Sequence, residues 1–249
     1  MMYEKLRKEK FVIRSLVAPC YSKPSFNSSK ISEATFGEQV KVNGLKGSWL
    51  SILQEDGYEG WIKDFYGTFE DRPPQCEYIV IDKHPLPFGS RLQKLNGKYK
   101  TINEDDYNYS LEPVKIGGVA SFDSLLSYAR SLIGCPYRWG GKTSGGFDCS
   151  GFVQTIFLLS GLLLPRDSWQ QSKFFKDSFI SGEQSKPGDL HFFGKDGKIS
   201  HVGISTGGLN LVHCQGWVKE ESFSDDISGS KKLADMYMHT CSVELNLDR

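Results

Sequence analysis

The amino-acid sequence predicts an α+β multidomain protein, with a β-rich N-terminal half followed by a domain of helices packed on an antiparallel sheet. Three observations carry this reading. Between Phe11 and Phe69, short apolar runs alternate with turn residues. After Gly117-Gly118 the apolar spacing changes from alternation to that of a helix, and beyond Asp189 strand-like runs return. A length of 249 residues, at roughly 100–200 residues per domain, accommodates such a division.

The first segment, 1–70, contains the runs FVIRSLVA, EQVKVNG, SWLSIL and YEGWIKD. Alternation at Val40/Val42 and Trp49/Ser51/Leu53, with Asn43-Gly44 and Asp56-Gly57 as tight turns, predicts antiparallel hairpins of a small barrel. Trp49 and Trp61 are expected to pack it. Pro73-Pro74 marks a boundary. A second β segment, 71–118, follows, with Asn96-Gly97 as a hairpin turn. In the third, 119–249, Phe122, Leu125, Leu126, Ala129 and Leu132 predict an amphipathic helix over 121–133 that Gly134 ends. Asp148–Ser160 predicts a second helix with Gly161 as its stop. Asp189–Phe193, His201–Ser205 and Leu209–Cys214 predict strands, the last two joined by Gly207-Gly208. Helices followed by an antiparallel sheet make an α+β domain.

Composition narrows the function. Thirty basic and thirty acidic residues give a formal net charge of zero, which argues against nucleic acid or an anionic membrane as partner. The most apolar run, Phe152–Leu164, is broken by Gln154, Thr155, Ser160 and Gly161 and falls short of the roughly 20 apolar residues of a membrane span. The basic start, MMYEKLRKEK, precedes an apolar stretch too short for an export signal, so a cytoplasmic location is expected, with export the alternative if Met1 is not the native start. Six cysteines with no CxxC pair predict neither a disulfide scaffold nor a zinc site.

The chemistry concentrates around one cysteine. A Gly-rich loop, Trp139–Phe147, runs into Asp148-Cys149-Ser150-Gly151 and then the apolar helix; no GxxxxGK[ST] order is present, so phosphate binding is not expected. A cysteine in the first turn of a helix meets unpaired amides that favour thiolate. Such a nucleophile needs a base and an orienting partner. His201 and His213 lie on consecutive predicted strands, where cross-strand pairing brings their rings together. The alternative for each is structural, since free cysteines and strand histidines are commonly core residues. His191, His84 and His239 are read as non-catalytic, the last two as surface residues, and Cys214 as buried and inert.

Six ordered segments then carry a resemblance: Tyr137-Arg138-Trp139-Gly140-Gly141, Phe147-Asp148-Cys149-Ser150-Gly151, Leu164-Pro165-Arg166-Asp167-Ser168 with Gln170/Gln171, Pro187-Gly188-Asp189-Leu190, His201-Val202-Gly203-Ile204, and His213. Over residues 119–223 the chain resembles the NlpC family of papain-like cysteine peptidases that cut bacterial cell-wall peptides. Gly37-Glu38-Gln39-Val40 and Gly57-Tyr58-Glu59-Gly60-Trp61 resemble bacterial SH3-like domains, which places an SH3-like barrel at 1–70 and a second, complete or partial, at 71–118. Together they resemble the γ-D-glutamyl-L-diamino acid endopeptidases.

The resemblance implies Cys149 as nucleophile, His201 as base, His213 as its orienting partner and the Tyr137 hydroxyl with the Cys149 amide as oxyanion donors. It also implies recognition of a free N-terminal L-Ala amine by Asp148, Ser150 and Ser168, with Glu38 and Tyr58 carried over from the SH3-like domain. Arg166 and Asp167 either line the D-Glu carboxylate subsite or brace their loop. The expected substrate is a murein tri- or tetrapeptide, with no cofactor, metal or nucleic acid, and a monomeric state. The competing readings are an amidase or acyltransferase on the same core, and a non-catalytic wall-binding protein.

Overall fold

Alternation of apolar residues decides the first sheet of the computed structural model, which describes residues 10–108, 110–224 and 231–245. The first nine residues, read above as part of an N-terminus without an export signal, lie outside them. The strands before the first helix are β1 (Lys10–Ile13), β2 (Val17–Tyr21), β3 (Lys30–Thr35), β4 (Gln39–Lys46), β5 (Trp49–Leu53), β6 (Glu59–Lys63), β7 (Gly67–Glu70), β8 (Tyr78–Ile79), β9 (Arg91–Leu95), β10 (Lys98–Lys100) and β11 (Val114–Lys115). Val40, Val42, Leu50, Ile52 and Ile62 point inward with Phe11, Ile13 and Ala18 as one apolar cluster. β1–β7 form a seven-stranded sheet in the order β3-β2-β6-β5-β4-β1-β7, and β8–β11 a four-stranded sheet in the order β10-β9-β8-β11 with its own cluster around Val80, Leu92, Ile102 and Tyr107.

Two expectations are corrected here. Asn43-Gly44 is not the turn: both residues lie within β4, at a register shift, and the chain reverses at Gly47, whose φ is +60°. Trp49 and Trp61 do not fill the core, because in β5 the inward positions are Leu50 and Ile52. Trp49 is half-buried on the other side, edge-on to Tyr21 at 5.6 Å, with Lys63 Nζ 5.2 Å from its ring. Asn96-Gly97 does form the β9–β10 turn, both residues having positive φ, as a two-residue hairpin loop demands.

The described chain divides into two units. The first holds the residues up to Ile116 together with Trp139–Gly145; the second holds Gly117–Arg138 and the residues from Gly146 on. Within the first unit, the Gly-rich segment is tied to strand β3: the Lys142 amide donates to Glu33 Oε2 at 3.0 Å, and Glu33 also pairs with Lys30. Glu38 is buried, at 1% exposure. Its Oε2 accepts from the Thr35 amide (3.0 Å) and its Oε1 from Gln54 Nε2 (2.9 Å), with Lys142 Nζ at 3.8 Å. Tyr58 lies in the turn between β5 and β6, half-buried, its amide donating to Asp56 Oδ1.

In the second unit, α1 (Phe122–Ser131) is capped by Ser121, whose hydroxyl accepts from the Ser124 amide, and Leu125, Leu126 and Ala129 face inward. The chain then passes β12 (Lys142–Thr143), which belongs to the first unit, and β13 (Gly146–Phe147). It enters α2 (Cys149–Leu158), buried through Phe157, which Gly161 terminates with φ +78°. A helix not foreseen, α3 (Ser168–Phe174), follows a capping box formed by Asp167 and Gln170. β14 (Phe179–Ile180), β15 (Leu190–Lys195), β16 (Lys198–Gly207), β17 (Asn210–Gln215), β18 (Trp217–Ser222), the short helix α4 (Lys231–Ala234) and β19 (Tyr237–Cys241) complete the order. The six strands form an antiparallel sheet, β14-β19-β15-β16-β17-β18, against which α2 and α3 pack. Among the described residues no helix is long and apolar enough to cross a membrane.

Burial raises the Glu38 pKa, but the charges of Lys142 and Arg91 and the hydrogen bonds from Thr35 and Gln54 outweigh it, leaving it below its ordinary value. A depressed folded-state pKa contributes stability above the unfolded value that disappears as pH falls through the folded one. Chemical denaturation of wild type and Glu38→Gln is therefore expected to show a deficit for the variant of about 1–3 kcal/mol at neutral pH that shrinks on acidification below the carboxylate range. A deficit independent of pH would contradict this account.

Candidate active site

The start of α2 is built around a carboxylate rather than around the sulfur. Asp148 has an extended backbone and caps the helix: its Oδ1 accepts from the Gly151 amide at 2.7 Å and from the Ser150 hydroxyl at 3.3 Å. Arg166, 1% exposed, grips the same group from the loop before α3. Its Nη1 donates to Asp148 Oδ1 (3.0 Å) and Ser150 Oγ (3.1 Å), and its Nη2 to Asp148 Oδ2 (2.6 Å). A bidentate guanidinium–carboxylate pair fixes orientation as well as charge.

Two glutamines hold that loop. Gln154 Nε2 donates to Leu164 O at 2.8 Å, and Gln171 Nε2 to Pro165 O (2.9 Å) and Ser150 O (3.1 Å). Arg166 thus ties its loop to the start of α2 through Asp148 and Ser150. Asp167 caps α3, with its amide donating to Gln170 Oε1 at 3.0 Å. Ser168, the first residue of α3, is buried.

Cys149 follows Asp148 directly and is 7% exposed. Its Sγ lies 4.0 Å from Ser200 O, beside the first residues of the exposed-to-buried transition in β16, and the Val202 and Ser150 amides donate to it. The thiolate expected from the helix terminus is not the resting form. Burial and the adjacent Asp148 charge push the thiol above its ordinary value, outweighing those amides and Arg166.

His201 and His213 are brought together as the strand pairing requires. The β16–β17 ladder pairs Ile204 with Val212, and the next residues, Gly203 and His213, lie side by side, so His201 and His213 are neighbours on one face, with His201 Nε2 2.7 Å from His213 Nδ1. On its far side His213 Nε2 is 3.1 Å from Glu221 Oε2, and Lys219 forms a close ion pair with Glu221 Oε1. Burial pushes both imidazoles down, helped at His201 by His213 and Lys219 and at His213 by Lys219, so both rings rest neutral. Tyr137 sits in an extended stretch bridged to Phe147, its amide donating to Gly216 O at 2.8 Å. Burial, with Cys149 and the Asp148 carboxylate nearby, raises its pKa and keeps the phenol protonated.

The geometry accords with the comparisons with known proteins. Residues 134–236 match the NlpC/P60 family and residues 17–66 the bacterial SH3 domain. A gamma-D-glutamyl-L-lysine dipeptidyl-peptidase of Bacillus subtilis is 30% identical over 215 residues, covering 73% of this chain and 71% of that protein. The chain belongs to the NlpC/P60 family. A protein of the same name from Bacillus cereus is 28% identical over 229 residues, 75% of this chain and 68% of its own. The solved structure of an NlpC/P60 family protein from Bacillus cereus is similar in fold, with a TM-score of 0.75 at 21% identity, covering 94% of this chain and 99% of that one.

In this NlpC/P60 chain the family match encloses Tyr137, Cys149, Arg166, His201, His213 and Glu221, whereas Glu38 and Tyr58 fall in the SH3 match and belong to the first unit. The remaining histidines divide. His84 is exposed, as expected, and His191 is buried with Nδ1 2.7 Å from Thr240 Oγ1. His239 is not a surface residue: it is half-buried on β19, 2.9 Å from Ser172 Oγ of α3, the helix missing from the sequence reading. Cys214 is fully buried, with its Sγ donating to Phe147 O at 3.2 Å. Among the described residues no three His, Cys, Asp or Glu side chains converge as a metal site.

Removing one member of a buried ion pair strands the other charge. Arg166→Met and Asp148→Asn are each expected to lose about 3–5 kcal/mol of stability, and the double variant clearly less than their sum. Additive losses below about 1 kcal/mol in urea unfolding would show that the pair does not organise the site.

Proposed function

We propose that the chain is a cysteine peptidase that hydrolyses the γ-D-glutamyl to L-diamino acid bond of murein peptides bearing a free N-terminal L-Ala, in turnover of released wall peptides. The observation that carries the reading is the placement of the Cys149 sulfur at a helix start, against the β16 backbone that bears His201, with His213 behind it. Support for the substrate comes from the relatives named gamma-D-glutamyl-L-lysine dipeptidyl-peptidase. A dipeptidyl-peptidase removes two residues from an amino end, which requires that end to be free.

The reaction follows from the charge states. Because thiol and imidazole both rest neutral, His201 takes the thiol proton as sulfur attacks the γ-carbonyl carbon of D-Glu. Negative charge develops on the carbonyl oxygen, where the Cys149 amide and the protonated Tyr137 hydroxyl donate. His201 then returns the proton to the leaving amine of the diamino acid, and the C–N bond breaks. Water, deprotonated by His201, cleaves the thioester and frees L-Ala-γ-D-Glu. At the other end of the dipeptide, the ammonium is received by Ser150 and Ser168 hydroxyls and by Asp148, whose charge is already shared with Arg166.

Mass spectrometry after incubation with L-Ala-γ-D-Glu-L-Lys, its diaminopimelate counterpart and their N-acetylated forms tests the reading. The expected result is release of L-Ala-γ-D-Glu from the free peptides only, abolished in Cys149→Ala. Equal cleavage of the acetylated forms would favour an amidase or acyltransferase, and no cleavage at all a wall-binding role.

A further inference from the structure

The β17–β18 hairpin places a carboxylate behind the histidine pair. In its register Leu211 opposes Glu221 and His213 opposes Lys219, so His213, Lys219 and Glu221 share one face of the last two strands of the six-stranded sheet. Glu221 is held in place: Lys219 pairs with Oε1, which leaves Oε2 for His213 Nε2 at 3.1 Å. A carboxylate only accepts hydrogen bonds, and a neutral imidazole carries a single N–H.

We infer that Glu221 is a positioning residue that fixes the tautomers of both histidines: it holds the His213 proton on Nε2, which forces His201 to keep its own proton on Nε2 and its lone pair on Nδ1. The logic is a chain of donors. With Nε2–H of His213 given to Glu221, Nδ1 of His213 is an acceptor, and the 2.7 Å contact to His201 Nε2 then requires His201 to donate. The lone pair left on His201 Nδ1 has no partner among the described residues, and it is the one able to take the thiol proton. In the opposite arrangement the His213 Nε2 lone pair would face the carboxylate oxygen, two acceptors in contact. Neutral imidazoles are secured by burial, with Lys219 adding to it. When His201 becomes imidazolium during attack, its charge is met through His213 by Glu221.

This inference rests on Cys149 and His201 as nucleophile and base, but its decisive readout needs no substrate. Long-range ¹H–¹⁵N correlations of the histidine side chains in the resting protein are expected to show Nε2–H for both His201 and His213. Glu221→Ala is expected to lose the single tautomer of His213 and to lower kcat about tenfold with KM changed less than about twofold. Glu221→Gln, whose amide oxygen accepts the same N–H, is expected to keep the tautomer and recover most of kcat. Nδ1–H on His213 of the wild type, or an unchanged tautomer in Glu221→Ala, would overturn the inference. A wild type that shows the Nε2–H tautomers but cleaves no murein peptide would instead overturn the proposed function.

Discussion

The ion pair between Asp148 and Arg166 is the interaction on which the rest of the catalytic unit depends. An arginine buried to 1% exposure is tolerable only because both terminal nitrogens meet a carboxylate, and the carboxylate in turn is tolerable next to a helix start because it caps it. One contact therefore sets three things. It places the first turn of α2, it draws the Leu164–Asp167 loop onto that turn, and it orients Ser150 beside Cys149. Gln154 and Gln171 then hold the loop by its carbonyls, so α3 begins where the pair requires.

The same pair has an electrostatic consequence. A helix start ordinarily lowers a cysteine pKa, yet here the cap that satisfies the helix carries a negative charge of its own, one residue from the sulfur. Burial acts in the same direction, and Arg166 offsets only part of the effect. Cys149 therefore rests as a thiol, and in the proposed reaction its ionisation belongs to the attack itself. Tyr137, subject to the same burial and charges, keeps its proton and with it the ability to donate.

Much of this was legible in the sequence, and the omissions have physical reasons. Cys149 could be placed at a helix start, and His201 beside His213, because short-range helical spacing and a tight Gly turn determine both. The helix α3 was missed although Asp167 and Gln170 spell its capping box, since seven residues show too little apolar periodicity. Glu221 was missed because β18 was not read as a strand; once it is, Lys219 and Glu221, two residues apart, fall on the face of His213. Asn43-Gly44 was read as a turn from its dipeptide alone, whereas the pairing of β4 with β5 extends to Lys46. Arg166 could not be assigned at all, because whether a guanidinium faces a ligand or a neighbouring carboxylate is a tertiary fact.

The most direct test of the central claim is the rate of Cys149 alkylation by iodoacetamide as a function of pH. A thiol held in the neutral form by burial and the Asp148 charge predicts a rate that climbs steadily from about pH 6 to about pH 9 without levelling, past the ordinary cysteine pKa of roughly 8.5. A rate that is already constant at neutral pH would show a resting thiolate and contradict the account.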